Sequence, residues 1–263
     1  MSIPLNSDFN FLDLEQKGHC VLITIQRPKQ LNALNKQLIH ELSQAFTLLD
    51  KHSQVRVILL TGAGDKAFVA GADIKEFSGF TPQQAEDLAL KGQQLLFDKI
   101  AYLSKPVIAL INGYALGGGL ELALSCHLRI ASENAQFGFP EPTLGLIPGY
   151  GGTQRLPQLI GKSRALQILL SASPIKATTA QHWGLVNELT TVSDLQEKGL
   201  ELAWKIAQNS PNAISKILEV LQVQEHSLDQ GLHKEAVAFG QCFQTADFKE
   251  GITAFLEKRK PCF

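Results

Sequence analysis

A chain of 263 residues, 44% of them hydrophobic, carries enough apolar material for one large core, or for one domain with an appendage. Its 24 Lys and Arg against 25 Asp and Glu leave no excess positive charge to hold a polyphosphate backbone, which argues against a general nucleic-acid binder. Four scattered cysteines, Cys20, Cys126, Cys242 and Cys262, form no C-x-x-C pair, so neither a zinc site nor a disulfide framework is expected and a reducing compartment is the simpler reading.

The segment Met1 to Glu15 has neither a basic start followed by an apolar run nor an Arg-rich amphipathic pattern, so a cytoplasmic location is expected. The richest apolar run, Pro106 to Leu124, is interrupted by Asn112, several glycines and Glu121, so no membrane-spanning helix of about 18 or more apolar residues is expected.

In chain order, Cys20 to Ile25 reads as a strand ended by Arg27-Pro28, because proline lacks the N–H a ladder needs. From Asn35 to His52, Leu38, Leu42, Ala45, Phe46 and Leu49 recur at spacings of three and four, which predicts an amphipathic helix with Asn35 as its N-cap. Val55 to Thr61 reads as the next strand and ends in Gly62-Ala63-Gly64-Asp65, before a loop of small residues, Ala70-Gly71-Ala72-Asp73. Thr81-Pro82-Gln83-Gln84 combines a cap residue, a proline at the first helical position and a glutamine three after the cap, predicting a helix to about Tyr102.

Val107 to Ile111 is the following strand, and a short buried helix is expected from Leu120. Leu128 to Ala131 reads as a further short strand, before a glycine-rich segment that ends at Gly152. Beyond Gly161 the pattern is largely helical, with breaks at Pro174, Gly184 and Pro211. A soft boundary near Leu189 divides a core, residues 1–189, from a helical region, residues 190–263.

Three consecutive glycines, Gly117 to Gly119, weaken a regular element by up to about 1 kcal/mol each and need a reason. Close backbone approach at a helix start would supply one, since free N–H groups there suit an anion or a developing oxyanion; a tight packed turn would supply another. Neither nucleotide motif fits, because G-x-G-x-x-G has no match and Leu156 stands where a phosphate-binding loop ending in Gly161-Lys162-Ser163 needs glycine. Glu121 follows the triplet among Leu120, Leu122, Ala123 and Leu124, where an ionised group is costly without partners. A carboxylate that only complements the helix dipole accounts for it equally well on local grounds. Glu141 lies between Pro140 and Pro142, and by itself reads as an exposed loop carboxylate.

The combination is more specific. Ala67-Phe68-Val69-Ala70-Gly71-Ala72-Asp73-Ile74-Lys75 is followed by Lys105-Pro106-Val107-Ile108-Ala109, then by Asn112-Gly113-Tyr114-Ala115-Leu116-Gly117-Gly118-Gly119-Leu120-Glu121-Leu122-Ala123. Phe137-Gly138, Pro140-Glu141 and Pro148-Gly149-Tyr150-Gly151-Gly152-Thr153-Gln154-Arg155-Leu156 complete the series. This region, Lys66 to Arg155, resembles the signature region of the crotonase, or enoyl-CoA hydratase/isomerase, family, and weaker agreement covers nearly the whole chain.

The resemblance implies an α/β fold, a crotonase-like spiral of ββα units, with a C-terminal helical region that joins trimers, usually paired into hexamers. It implies hydration of a 2-enoyl-CoA, as in fatty acid β-oxidation, with Glu121 and Glu141 as the catalytic pair and the backbone N–H groups of Ala72 and Gly118 as the oxyanion hole. Candidate substrate or CoA contacts are Ala33, Ala70, Asp73, Ile74, Lys75 and Gly149, with Lys258 and Arg259 near the nucleotide of an adjacent subunit and Phe77 to Lys99 along the acyl chain. No metal and no cofactor beyond the CoA of the substrate are implied. The alternatives are an enoyl-CoA isomerase, which needs only one of the glutamates, and a non-catalytic scaffold or RNA-binding relative, which would show a basic helix face.

Overall fold

The computed structural model describes residues 9–76, 79–224, 237, 239, 241–242 and 245–263; Phe77, expected along the acyl chain, and part of the expected C-terminal helical region lie outside them. Two sheets carry the architecture. The larger has six strands in the order β1 (Leu12–Lys17), β2 (Cys20–Ile25), β3 (Val57–Gly62), β5 (Val107–Ile111), β7 (Leu128–Ser132) and β10 (Glu188–Thr190). All neighbours are parallel except the β1/β2 hairpin. The smaller has β4 (Ala67–Val69), β6 (Tyr114–Leu116), β8 (Gln136–Gly138) and β9 (Ile175–Lys176), with only β9 antiparallel.

Three strands of the large sheet, β3, β5 and β7, are each followed by one of the small sheet and then by helix: β3, β4, α2 (Pro82–Gly92) and α3 (Asp98–Ala101); β5, β6, α4 (Gly118–Ser125); β7, β8, α5 (Gly152–Ile160) and α6 (Lys162–Ser171). This is the spiral of ββα turns. Asn112 holds one step between sheets, donating from Nδ2 to the Gly62 and Gly64 carbonyls at 2.8 and 2.7 Å. Gly113 follows because a side chain there would collide with the Lys66 backbone.

Both faces of the large sheet are covered, which is why its strands read as continuous apolar runs rather than alternating ones. Val21, Ile23, Ile58 and Leu60 enter the main core with α1 (Lys36–Lys51). Cys20, Leu22, Val57, Leu59, Ile108 and Leu110 face α8 (Leu195–Ala207), whose Leu195, Leu200 and Ala203 close the second core. The boundary expected near Leu189 therefore falls inside β10, and the next helix packs on the sheet instead of standing apart. α7 (Ala177–His182) connects β9 to β10, and α9 (Pro211–Gln224) and α10 (Ala246–Leu256) complete the described helices.

The capping signals are realised. Asn35 Oδ1 accepts from the Leu38 N–H at 2.8 Å, and Thr81 with Gln84 makes a reciprocal capping box. Between α2 and α3 the helix widens into a π turn, Gln93–Phe97, which periodicity does not predict. The strands β4, β6, β8, β9 and β10 were likewise not expected, since two or three residues are too few for a pattern to stand out, and neither was β1, whose polar edge sequence Leu12–Lys17 lacks the apolar run of its neighbours.

Candidate active site

α4 starts at Gly118, two residues earlier than expected, because small residues let it approach β4: any side chain on Gly119 would strike the Val69 carbonyl. Its far end is closed by the buried Arg129, which donates to the carbonyls of Cys126, Ala123 and Leu185 at 2.6, 3.2 and 2.8 Å. A cation at a helix C-terminus both caps the last carbonyls and opposes the dipole. The helix is thus fixed at both ends, with Glu121 in its first turn and almost wholly buried.

Glu121 Oε1 accepts two backbone N–H groups, from Tyr150 at 2.7 Å and from Gly152 at 2.8 Å. These donors hold the charged form, but burial outweighs them and pushes the carboxyl up to about 7. The charge of Glu141 raises it further and that of Arg155 lowers it.

Glu141 opens a 3₁₀ turn, Glu141–Leu144, which follows β8. Its Oε1 packs so closely on Gly117, at φ +50°, that a side chain at that glycine would overlap it. Its Oε2 is buried with no hydrogen-bond partner among the described residues, and burial raises its pKa as well. The two carboxyl groups stand on different turns of the spiral, and the charge of Glu141 reaches Glu121.

The loop of small residues lies alongside. Leu34 bridges Ala72 in parallel fashion, with Leu34 N–H donating to Gly71 O at 2.8 Å and Asp73 N–H to Leu34 O at 2.7 Å. In a parallel bridge the opposed residue directs its own N–H away from the partner strand. The Ala72 N–H therefore points away from Leu34, and its nitrogen lies 3.7 Å from where a Cβ on Gly118 would be. Gly118 heads α4, so its N–H has no carbonyl within the helix to bond. Among the described residues neither amide meets a backbone acceptor, and the two residues are neighbours beside the carboxyl groups.

The remaining candidates divide. Ala33, Ala70 and Asp73 lie on the paired segments beside Ala72: the Ala70 N–H donates to Leu31 O at 3.1 Å, and Arg27 donates to Ala33 O while pairing with Asp73 at 3.4 Å. Gly149 adjoins Tyr150, whose ring would lie 3.6 Å from a Cβ on Gly118. Ile74 and Lys75 are exposed on the next short turn. Arg259 is engaged by Glu250 and Glu257 at 2.7 Å each, and Lys258 is exposed. Sequence reasoning did not give a role to Tyr150 and Gly152 as holders of Glu121, although both stand in the glycine-rich segment that drew notice. Leu144, Leu146 and Ile147 add an exposed apolar rim beside Glu141. No group of three or more His, Cys, Asp or Glu side chains placed to hold a metal ion occurs among the described residues.

A buried and a half-buried carboxyl group beside two neighbouring N–H donors supply the chemistry of protonating and deprotonating a carbon next to a carbonyl. The sequence profile described as enoyl-CoA hydratase/isomerase matches residues 15–263. The chain belongs to the enoyl-CoA hydratase/isomerase family. It is 43% identical over 254 residues to a short-chain-enoyl-CoA hydratase of Clostridium acetobutylicum, covering 96% of this chain and 97% of that protein. A crotonyl-CoA hydratase of Syntrophomonas wolfei is 44% identical over 252 residues, covering 95% and 96%. The crystal structure of an enoyl-CoA hydratase from Bacillus anthracis superposes with a TM-score of 0.92 at 41% identity, over 97% of this chain and 99% of that one. The α/β spiral is thus the fold of this family.

Proposed function

We propose that the protein is an enoyl-CoA hydratase, adding water reversibly and syn to a trans-2-enoyl-CoA to give the 3-hydroxyacyl-CoA. The observation that carries this reading is the pair of carboxyl groups, buried Glu121 and half-buried Glu141, both with pKa values raised by burial, beside the Ala72 and Gly118 amides. The names of its relatives agree with it.

In this reading the two amides bind the thioester oxygen, where negative charge gathers as water adds; one such donor is worth about 2.7 to 4 kcal/mol of barrier. Both donors to Glu121 fall on Oε1, which leaves Oε2 to hold the water. The pair shares one proton. As the water oxygen bonds to the β-carbon, its proton passes to Glu121 and Glu141 delivers its own to the α-carbon, so the proton count of the pair is unchanged. Isomerisation moves a proton between carbons and needs only one of these groups, so the retained pair favours hydration. Ala33, Ala70, Asp73, Ile74, Lys75 and Gly149 are assigned to the CoA side of the substrate, and no further cofactor is required. Assembly as a homotrimer or a hexamer and residence in the cytoplasm belong to the same proposal; the four free thiols accord with a reducing compartment. Among the described residues no helix is long and apolar enough to cross a membrane.

The test is loss of the conjugated-enoyl absorbance of crotonyl-CoA and of longer 2-enoyl-CoA thioesters. Wild type is expected to turn over, and Glu121→Gln or Glu141→Gln to lower kcat by about 10² to 10⁴-fold. Absence of hydration at every chain length, or isomerisation alone, would overturn the reading.

A further inference from the structure

The Tyr150–Gly152 turn that grips Glu121 is itself held from outside the reacting centre. Arg155, one turn into α5, donates from Nη1 to the Tyr150 carbonyl at 2.8 Å and from Nη2 to Asp98 at 2.5 Å. Gly151, at φ +98°, admits the guanidinium, since a side chain there would collide with Nη1. Gln93 Nε2 donates to the Gly149 carbonyl at 2.7 Å, and Phe97 stacks on the Tyr150 ring with centroids 4.5 Å apart. Gln93 and Phe97 bound the π turn and Asp98 follows it, so this widened turn faces all three contacts toward one loop.

We propose that Arg155, anchored by Asp98, is a positioning residue for the hydration, fixing the turn whose two N–H groups orient the Glu121 carboxylate. The inference rests on the hydratase reading for its kinetic consequence, not for its geometry. A second effect follows from charge. The groups that face Glu121 are Glu141 from the 3₁₀ turn, the Tyr150 phenol, itself raised to about 12 by burial and neighbouring charge, and Arg155 from α5. On α3, Asp98 is taken up by Arg155 and Lys99 is turned to Ser43 and Thr47 on α1; β4 brings no charged side chain, and on β6 Tyr114 is exposed. Arg155 is therefore the cation of the set, and its removal should raise the Glu121 pKa.

The experiment compares Arg155→Met, Arg155→Lys and Asp98→Asn by steady-state kinetics on crotonyl-CoA from acid to alkaline pH. In parallel, Glu121 is titrated in the free protein by carboxyl-¹³C NMR, assigned with Glu121→Gln. Arg155→Met is expected to lower kcat by about 10- to 100-fold, as slight misplacement of a reacting group does, with KM moving less than about threefold. With Arg155→Met the Glu121 midpoint and the acid limb of the pH profile should both move to higher pH, Arg155→Lys should recover part of each, and Asp98→Asn, which frees Arg155 but keeps its charge, should lower kcat without moving either to higher pH. Should Arg155→Met fail to fold, Arg155→Gln, which also removes the charge, carries the same test. For the variant that removes the Arg155 charge, a kcat within about twofold of wild type, or a fall with neither the midpoint nor the limb moved, would overturn the proposal. If wild type hydrates nothing, the functional reading fails, and the titration alone then decides whether Arg155 governs Glu121.

Discussion

Glu121 illustrates how burial can override good hydrogen bonding. Two backbone donors on one oxygen would ordinarily hold a carboxylate well ionised, yet removal from water places its pKa at about 7. The folded protein then binds a proton that the unfolded chain releases between pH 4.5 and about 7, so this group makes stability fall as pH rises through that window. Glu121→Gln keeps an oxygen to accept the Tyr150 and Gly152 amides but removes the titration. Thermal melts should therefore show the variant gaining on wild type by on the order of 2 kcal/mol between pH 5 and pH 8. An equal difference at both pH values would mean that Glu121 titrates at an ordinary carboxylate pKa.

At the scale of elements, close approach explains residues that propensity alone would call costly. Gly119 is tolerated inside α4 because the helix runs against the Val69 carbonyl. Gly119→Ala is expected to displace the helix N-terminus and with it Glu121, lowering both the melting temperature and kcat, while an alanine at exposed Gly79 should change neither. Capping is a smaller and more local matter. Asn35→Ala removes the oxygen that accepts the Leu38 N–H and should cost about 1 kcal/mol in denaturant unfolding, with activity unaffected. The same scale shows which elements the sequence reveals. The helix Lys36–Lys51 was legible from its apolar stripe and its cap, and Val107–Ile111 from a β-branched run set between turn signals. The strands Tyr114–Leu116 and Gln136–Gly138 were not, because three residues hold no period and they exist only through pairing with one another and with β4 and β9. The π turn at Gln93–Phe97 left no mark for a similar reason: its contacts are with Gly149 and Tyr150, far along the chain.

For the whole molecule, the large sheet is one structural unit with helices from both ends of the chain. α8 lies so near it that a Cβ on Gly199 would sit 2.5 Å from a Leu110 methyl, and Leu110 belongs to the strand that leads toward Asn112 and α4. Gly199→Ala should overpack this contact, lowering stability by about 1 to 3 kcal/mol. The loss should appear as one shifted transition, read alike by far-UV and near-UV signals; two separated transitions would show that α8 unfolds apart from the sheet.

By itself the sequence determined the kind of chemistry: two glutamates in apolar or proline-bounded settings, a glycine run before one of them, and a dense signature resembling a single family. Those features are local in the chain, and local order suffices to read them. What only the tertiary structure decided is how the groups meet. Glu121 and Glu141 stand on successive turns of the spiral, and the donors to Glu121 arrive from residues 150 and 152. The fixing of that turn by Asp98 and Arg155 depends on helices brought together only by packing around the common core. Distances between segments far apart in the chain are set by how sheets and helices bury their faces, and no periodicity along the chain records them.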